Sequence, residues 1–211
     1  MLPAEEAKSR WMGRVPYLEA LSIQEELAER RASGEEKDLF LTLEHFPCYT
    51  LGRSSEYRGE DLGGLPLIRA DRGGGITYHG PGQLIGYPIF LLEKRRDLSF
   101  FLRWLQGSLI DALLEIGIRG ESQPKKPGIW VEGRKIASLG MRFQRGVTTH
   151  GFALNVNTAL QPFDRIVPCG MEGVRMTSIE REGGLIEVED FAALFIRLAL
   201  PRWRAAGAWE V

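Results

Sequence analysis

The sequence is poor in cysteine and in lysine. Its 211 residues include two cysteines, Cys48 and Cys169, and no Cys-x-x-Cys pair. The sequence therefore predicts neither a disulfide framework nor a structural zinc site, and it favours a reducing cytosol. Lysine occurs at six positions, and the formal net charge is −1, so we expect no strong attraction to nucleic acid or to an anionic membrane.

Long apolar stretches are also absent. No segment approaches the roughly 20 apolar residues of a membrane helix. The segment 1–14 carries Glu5 and Glu6 and lacks the apolar core of a signal peptide. With 44% hydrophobic and 26% charged residues, the chain can bury a full core. We therefore expect a cytoplasmic protein with one domain over residues 1–211.

Periodic patterns predict an α+β fold. Helical spacing of apolar residues predicts three helices, over 17–31, 97–116 and 189–200, with the last one broken by Pro201. Apolar runs and alternation predict strands over 38–45, 67–70, 83–91, 128–131, 135–143 and 147–157. Glycine-containing connectors at 132–133 and 144–146 indicate hairpins. We expect a mostly antiparallel sheet flanked by helices.

What the chain has in abundance is glycine, above all between Arg72 and Tyr87. Six of these sixteen residues are glycine, interleaved with Arg72, His79 and two tyrosines. Glycine lets another molecule approach the main chain closely, which is typical of a loop that lines a ligand. The dinucleotide fingerprint fails because Gly86 follows Gly82 one residue too late, and no Gly-Lys-Ser/Thr triplet follows. The sequence thus predicts a binding loop for something other than nucleotide phosphate.

Two further residues are candidates for chemistry. Cys169 lies between proline and glycine, which predicts a chain reversal with an accessible sulfur. A reactive thiol and a small buried side chain both remain open there, whereas Cys48, beside aromatic residues, is typical of a structural cysteine. Lys135 opens the apolar segment 135–140. It is either an edge residue with a solvated ammonium or an inward cation for a thiolate, carboxylate or phosphate.

The three histidines do not predict a metal site. His45, His79 and His150 show no His-x-x-x-His spacing and no accompanying carboxylate cluster. We expect His79 and His150 to hydrogen-bond loop backbone or to line a pocket. No cofactor is predicted from these residues.

Taken together, the motifs resemble one family, the lipoyl(octanoyl) transferases. The segment 72–87 fits that family's signature at every specified position. The other motifs follow in the family's order, and the resemblance spans about 39–179: Tyr49–Arg53, Lys135–Gly140, Thr149–Asn155, Pro168–Gly170 and Thr177–Ser178. Phe46 and Cys48 depart from the family, in which proline and an aliphatic residue are more usual.

The resemblance implies a fold related to biotin and lipoate protein ligases and a two-step acyl transfer. Cys169 would attack the thioester of octanoyl-acyl carrier protein, and a lysine of an apo lipoyl domain would then take the acyl group as an amide. Lys135 would lower the pKa of Cys169. The implied acceptors are the lipoyl domains of 2-oxoacid dehydrogenase complexes and the H protein of glycine cleavage, and the implied enzyme is a monomer without a cofactor.

The resemblance also implies a set of residues around the acyl group: Arg72, Gly73, Gly74, Gly75, Ile76, Thr77, Tyr78, His79, Ser138, Leu139, Gly140, Gly151, Phe152 and Ala153. Two alternatives remain. An ATP-dependent lipoate or biotin protein ligase would have a similar fold and lysine but would need no nucleophilic cysteine. A non-catalytic binding module would keep the groove and need neither Cys169 nor Lys135.

Overall fold

The computed structural model describes residues 7–53, 55–57, 59–92, 97–124, 126–167 and 173–206. These residues form three α-helices: α1 (Tyr17–Ser33), α2 (Asp97–Glu115) and α3 (Val188–Ala206). They also form a 3₁₀ helix at Gln161–Arg165. Their ten strands are β1 (Lys8–Val15), β2 (Leu39–His45), β3 (Cys48–Leu51), β4 (Leu67–Arg69), β5 (Ile76–His79), β6 (Gln83–Ile89), β7 (Glu121–Gln123), β8 (Lys126–Val131), β9 (Arg134–Gln144) and β10 (Val147–Asn155).

Seven of the strands build one mixed sheet in the order β1-β2-β6-β10-β9-β8-β7. β1 runs parallel to β2, and the other neighbours in this sheet are antiparallel. The remaining three strands form a small sheet in the order β4-β3-β5, in which β3 and β4 are parallel. The predicted α+β class, with a mostly antiparallel sheet flanked by helices, is confirmed.

The two faces of the large sheet carry separate apolar clusters. Successive residues of a strand point to opposite faces, so Leu39, Leu41 and Leu43 of β2 lie together in the cluster that α1 covers. Phe40, between them, belongs to the cluster that α2 and α3 cover, with its ring centroid 5.4 Å from that of Phe195. Helices therefore bury both faces, as the strong apolar patterns predicted.

Local glycine signals are also confirmed. Helix α1 ends at Gly34, which has a φ of 84° and caps the last carbonyls with its N–H. The two hairpins around β9 turn at Glu132–Gly133, with φ values of 48° and 77°, and at Arg145–Gly146, with 51° and 81°. Positive φ at both central residues is the type I′ geometry that matches the twist of paired strands.

The predicted break of the last helix at Pro201 is wrong. Helix α3 continues through Pro201 to Ala206. Proline removes one backbone hydrogen bond, but Pro201 lies on the exposed side, where water can satisfy the freed carbonyl. On the other side Trp203 packs against the rings of Trp104 and Phe101, at centroid distances of 4.9 and 5.2 Å. Burial of this aromatic surface outweighs the lost bond.

Four strands, β1, β3, β5 and β7, were not predicted from the sequence. β3 and β5 are only four residues long. β1 and β7 are edge strands with mostly exposed or half-buried side chains. β5 lies inside the glycine-rich stretch, which is therefore not one loop. Residues 70–75 connect β4 to β5, and residues 80–82 form the turn between β5 and β6.

The connection over residues 70–75 lies directly on the large sheet. The N–H of Gly73 donates to the carbonyl of Met141 on β9 at 3.0 Å. Gly140 has no side chain to prevent this contact, and a Cβ at this position would lie 2.8 Å from the oxygen of Gly73. Glycine at position 140 is thus required by close approach of two backbones.

We expect Gly140→Ala to destabilise the protein by about 1–3 kcal/mol, because the added methyl forces the two backbones apart. Gly73→Ala is the matched control on the other side of the same contact. A Cβ at Gly73 meets Met141 O at 3.5 Å, an ordinary contact, so this change should cost less than about 1 kcal/mol. Urea unfolding of both variants measures the difference, and equal losses would contradict the account.

Candidate active site

A small, half-open pocket lies between the large sheet, the segment at Arg72 and the start of α1. Nine of the residues predicted to surround an acyl group line it: Arg72, Thr77, His79, Ser138, Leu139, Gly140, Gly151, Phe152 and Ala153. Segments that are far apart in the sequence therefore meet at one place. The structure brings together most, though not all, of the predicted set.

Small residues form the floor of this pocket on β9 and β10. Gly140 pairs with Gly151, and Ser138 pairs with Ala153, so four small residues are neighbours on one face of the sheet. Ala153 belongs to the apolar cluster on the α1 side of the sheet. Since these positions carry at most two side-chain heavy atoms, they leave a mostly apolar groove above the strands. Such a groove suits a narrow aliphatic chain.

The remaining five predicted residues lie around the pocket and do not line it. Ile76 and Tyr78 point to the opposite side of β5 from Thr77 and His79, because side chains alternate along a strand. The ring of Tyr78 packs 5.5 Å from that of Phe163. Gly73, Gly74 and Gly75 form the backbone segment that closes over the sheet.

The guanidinium of Arg72 is hydrogen-bonded mainly to backbone carbonyls of the protein. Its guanidinium donates to the carbonyls of Gly73, Gly75 and Thr50, each at 2.9 Å, and to the Thr50 hydroxyl at 2.7 Å. Its side chain is buried, and its Nε has no hydrogen-bond partner among the described residues. Arg72 therefore holds the glycine segment in shape and presents one N–H beside the pocket.

Three pocket residues were not included in the predicted acyl set. Tyr87 lies inside the glycine-rich stretch, and His150 was expected to bond loop backbone or to line a pocket. Tyr17 opens α1, and its ring stacks on His79 with a centroid distance of 5.8 Å. No local signal marks Tyr17, because it is 55 positions from Arg72 in the sequence and reaches the pocket only through the packing of α1 on the sheet.

His150 is held in an unusual conformation at the pocket. Its φ is 56°, and its N–H donates to Gln24 Oε1 at 2.7 Å. Its Nε2 donates to Asp71 Oδ1 at 2.7 Å, and Arg142 contacts the same carboxylate. Burial lowers the pKa of His150 despite Asp71, so the imidazole is neutral near pH 7. Its Nδ1 is then an acceptor, and it has no hydrogen-bond partner among the described residues.

His45 orients the hydroxyl of Tyr87. His45 Nδ1 lies 2.8 Å from the carbonyl of Val15, which can only accept, so Nδ1 carries the proton. Nε2 then accepts from the Tyr87 hydroxyl at 2.7 Å. Burial lowers the pKa of His45 to about 4, which keeps this arrangement neutral. The Tyr87 hydroxyl at the pocket is therefore held as a hydrogen-bond donor to His45.

Lys135 is fully buried at the start of β9. Its Nζ lies 5.7 Å from the centroid of the Trp130 ring, within reach of a cation–π contact. A Cβ at Gly128 would lie 2.5 Å from Lys135 Cε, so this glycine makes room for the lysine chain. Of the two interpretations left open by the sequence, the structure shows an inward-pointing lysine and not a solvated edge residue. Cys169, the predicted nucleophile, lies outside the described residues.

Cys48, the other cysteine, is buried on β3, and burial raises the pKa of its thiol to about 12. It is therefore a protonated structural side chain. Within the described ranges, no group of three or more His, Cys, Asp and Glu residues could hold a metal ion. None of the helices in the described part of the chain is long and apolar enough to cross a membrane.

The protein has a lipoate and biotin protein ligase-like fold, with a mixed sheet and a pocket floored by small residues. A bipartite lipoate protein ligase from Thermoplasma acidophilum superposes with a TM-score of 0.73 at 16% identity, over 94% of this chain and 84% of that one. The biotin protein ligase from Aquifex aeolicus, in complex with biotin and ATP, gives 0.61 at 14% identity, over 96% and 72%. At such identities the likeness concerns the fold alone.

Sequence comparison defines the family more narrowly. Residues 16–198 match the lipoyl protein ligase A/B catalytic domain. An octanoyltransferase from Rubrobacter xylanophilus is 46% identical over 185 residues, which cover 83% of each chain. The chain belongs to the lipoyl protein ligase A/B catalytic domain family, and it is an enzyme of the acyltransferase class. The sequence resemblance is thereby confirmed.

The neutral, buried His45 predicts a loss of stability in mild acid. The unfolded chain binds a proton near the ordinary pKa of about 6.5, whereas the folded pKa is about 4, so stability falls as pH drops through this window. The full contribution is about 3 kcal/mol near pH 4. In His45→Asn, an amide can still donate to Val15 but cannot titrate. Urea unfolding between about pH 7 and about pH 5 should show a shallower fall, and identical slopes would contradict this assignment.

Proposed function

We propose that this enzyme transfers an octanoyl or lipoyl group from acyl carrier protein to a lysine of lipoyl domains, through a thioester on Cys169. Residues 1–211 act as one catalytic domain in this proposal. The observation that carries it is the position of a buried lysine, Lys135, on the strand that also forms the pocket floor at Ser138 and Gly140. The 46% identity to an octanoyltransferase supports the same reaction.

The pocket suits the acyl tail. Each buried CH₂ contributes roughly 0.8 kcal/mol, so an eight-carbon chain offers several kcal/mol for positioning its carbonyl. Ser138, Gly140, Gly151 and Ala153 leave the space for it. Such binding needs no charged group on the ligand. This agrees with the guanidinium of Arg72, which donates to the carbonyls of Thr50 and Gly75.

The first step exchanges one thioester for another. The thiolate of Cys169 attacks the carbonyl carbon of the octanoyl thioester, a carbon–sulfur bond forms, and the carbon–sulfur bond to the carrier breaks. The carrier thiolate leaves and takes a proton. Lys135 favours the Cys169 thiolate by supplying a nearby positive charge. Backbone N–H groups at the site stabilise the oxyanion of the tetrahedral intermediate.

The second step converts the thioester into an amide. The neutral ε-amine of a lysine on the apo lipoyl domain attacks the same carbonyl carbon, the Cys169 thiolate leaves, and the amine loses one proton. The acceptors in this proposal are lipoyl domains of 2-oxoacid dehydrogenase complexes and the glycine-cleavage H protein. No redox change occurs and no nucleotide is consumed, so the reaction needs no cofactor. In this proposal the enzyme is a cytoplasmic monomer.

The competing function is ATP-dependent ligation of a free acid, since a biotin protein ligase of similar fold binds ATP. The Pro-Cys-Gly motif at 168–170 favours the transferase, because ligation through an acyl-adenylate needs no thiol. Dependence on ATP and free octanoate separates the two functions.

Incubation with octanoyl-acyl carrier protein, without ATP, should add the mass of one octanoyl group to the wild-type protein in intact-mass spectrometry. Cys169→Ala should gain no mass, because it lacks the attacking sulfur. Cys48→Ala is the matched control and should be acylated normally, since the Cys48 thiol is buried and protonated. Transfer that occurs only with ATP and free octanoate would sink the proposal.

Lys135→Met should raise the pKa of Cys169 by about one unit or more, because it removes a buried positive charge while keeping the length of the side chain. The measurement is the rate of iodoacetamide alkylation against pH in a Cys48→Ala background. Lys126→Met is the control, since the exposed Lys126 ammonium lies over the same Trp130 ring at 5.6 Å. An unchanged thiol profile in Lys135→Met refutes the role given to Lys135.

A further inference from the structure

A chain of buried side-chain hydrogen bonds runs through the protein below the pocket. It begins at Arg72, whose Nη2 donates to Thr50 Oγ1 at 2.7 Å, and Thr50 Oγ1 lies 3.1 Å from His79 Nε2. His79 Nδ1 lies 2.8 Å from Gln83 Oε1. The chain continues through Gln83 to Asn155 on β10, and every one of these side chains is buried.

The bonds of this chain all have one direction. Gln83 Nε2 donates to Asn155 Oδ1 at 2.9 Å and to the carbonyl of Tyr78 at 3.2 Å, so Gln83 Oε1 is the acceptor for His79 Nδ1. His79 Nε2 then accepts from the Thr50 hydroxyl. This pattern requires a neutral imidazole, and burial lowers the pKa of His79 well below its ordinary value. Bonds aligned in this way polarise and strengthen one another.

The chain ends at the backbone beside Lys135. Asn155 Nδ2 donates to the carbonyl of Thr177 at 2.9 Å. The N–H of Thr177 in turn donates to the carbonyl of Lys135 at 2.9 Å, and the N–H of Lys135 donates to Arg175 at 2.8 Å. Residues 175–177 thus form a short parallel bridge to β9 at the backbone of Lys135, the residue with the buried side chain.

We propose that Asn155 is a positioning residue for the acyl transfer. By bonding Thr177, it fixes the bridge that holds the backbone of Lys135, and so it sets where the ammonium lies. The predicted effect on catalysis rests on the proposed function. The predicted effect on the backbone at Lys135 does not. Gln83 supports Asn155, because the side-chain N–H of Gln83 donates to Asn155 Oδ1.

Thr148 provides a matched comparison on the same strand. It is also fully buried in β10, and its hydroxyl donates to the carbonyl of Pro88 at 2.8 Å and accepts from the N–H of Phe90 at 3.1 Å. It lies at the opposite end of β10 from Asn155, away from the bridge at Lys135. Loss of a buried hydrogen bond should destabilise the protein to a similar extent at either site.

The first test compares Asn155→Ala with Thr148→Val in the acylation of Cys169 by octanoyl-acyl carrier protein. We expect Asn155→Ala to acylate roughly tenfold more slowly or worse near neutral pH, with its rate–pH profile displaced to higher pH, as a displaced cation requires. Thr148→Val should keep the wild-type profile and a rate within about twofold. Equal slowing in both variants, or an undisplaced profile in Asn155→Ala, overturns the proposal.

The second test needs no activity. Hydrogen–deuterium exchange reports on the amides of Lys135 and Thr177, which are protected by the bridge. We expect roughly tenfold faster exchange of these amides in Asn155→Ala and wild-type exchange in Thr148→Val. If Asn155→Ala does not fold, Gln83→Met tests the same chain one bond earlier, with a smaller effect in the same direction.

The two proposals fail in different ways. A wild-type protein that forms no acyl-enzyme refutes the proposed function, and the exchange experiment still tests the geometry. A wild-type protein that is acylated, together with an Asn155→Ala protein of unchanged profile and unchanged amide protection, refutes the positioning role alone.

Discussion

The site depends on one close contact between two backbones, the segment at Gly73 and strand β9 at Gly140. The bond from Gly73 N–H to Met141 draws the segment onto the sheet, and Arg72 fixes its shape by donating to its carbonyls. This contact places Arg72, which lines the pocket and begins the buried hydrogen-bond chain, beside the sheet. A side chain at position 140 would separate the two halves of the site.

The fold was largely readable from the sequence because its helices and central strands carry strong periodic patterns. The alternation of Leu39, Leu41 and Leu43 identified a strand with one face under α1, and glycine marked the ends of helices and hairpins. The edge strands could not be predicted, since their exposed residues need not alternate. The path of α3 through Pro201 was also hidden, because tertiary packing of Trp203 overrides a local rule.

The candidate site was predictable where it lies in motifs and unpredictable where it depends on packing. Nine of the predicted acyl-site residues line one pocket, although they come from three separate segments. Tyr17 could not be found, because its place at the pocket is set by how α1 packs on the sheet. The link from Asn155 to Lys135 was equally hidden, since it passes through the backbone of Thr177. The pairing of Lys135 with Cys169 stays a prediction.

The floor of glycine, serine and alanine has a thermodynamic consequence of its own. Gly140, Gly151 and Ala153 have no side-chain rotamers to lose, and their backbone is already fixed by the strand ladder. An aliphatic chain that binds there orders almost nothing in the protein beneath it, so little of its burial free energy is offset by lost conformational entropy. Apart from the hydroxyl of Ser138, the floor has no side chain that can rotate. The shape of the floor is therefore determined mainly by the main-chain geometry of β9 and β10.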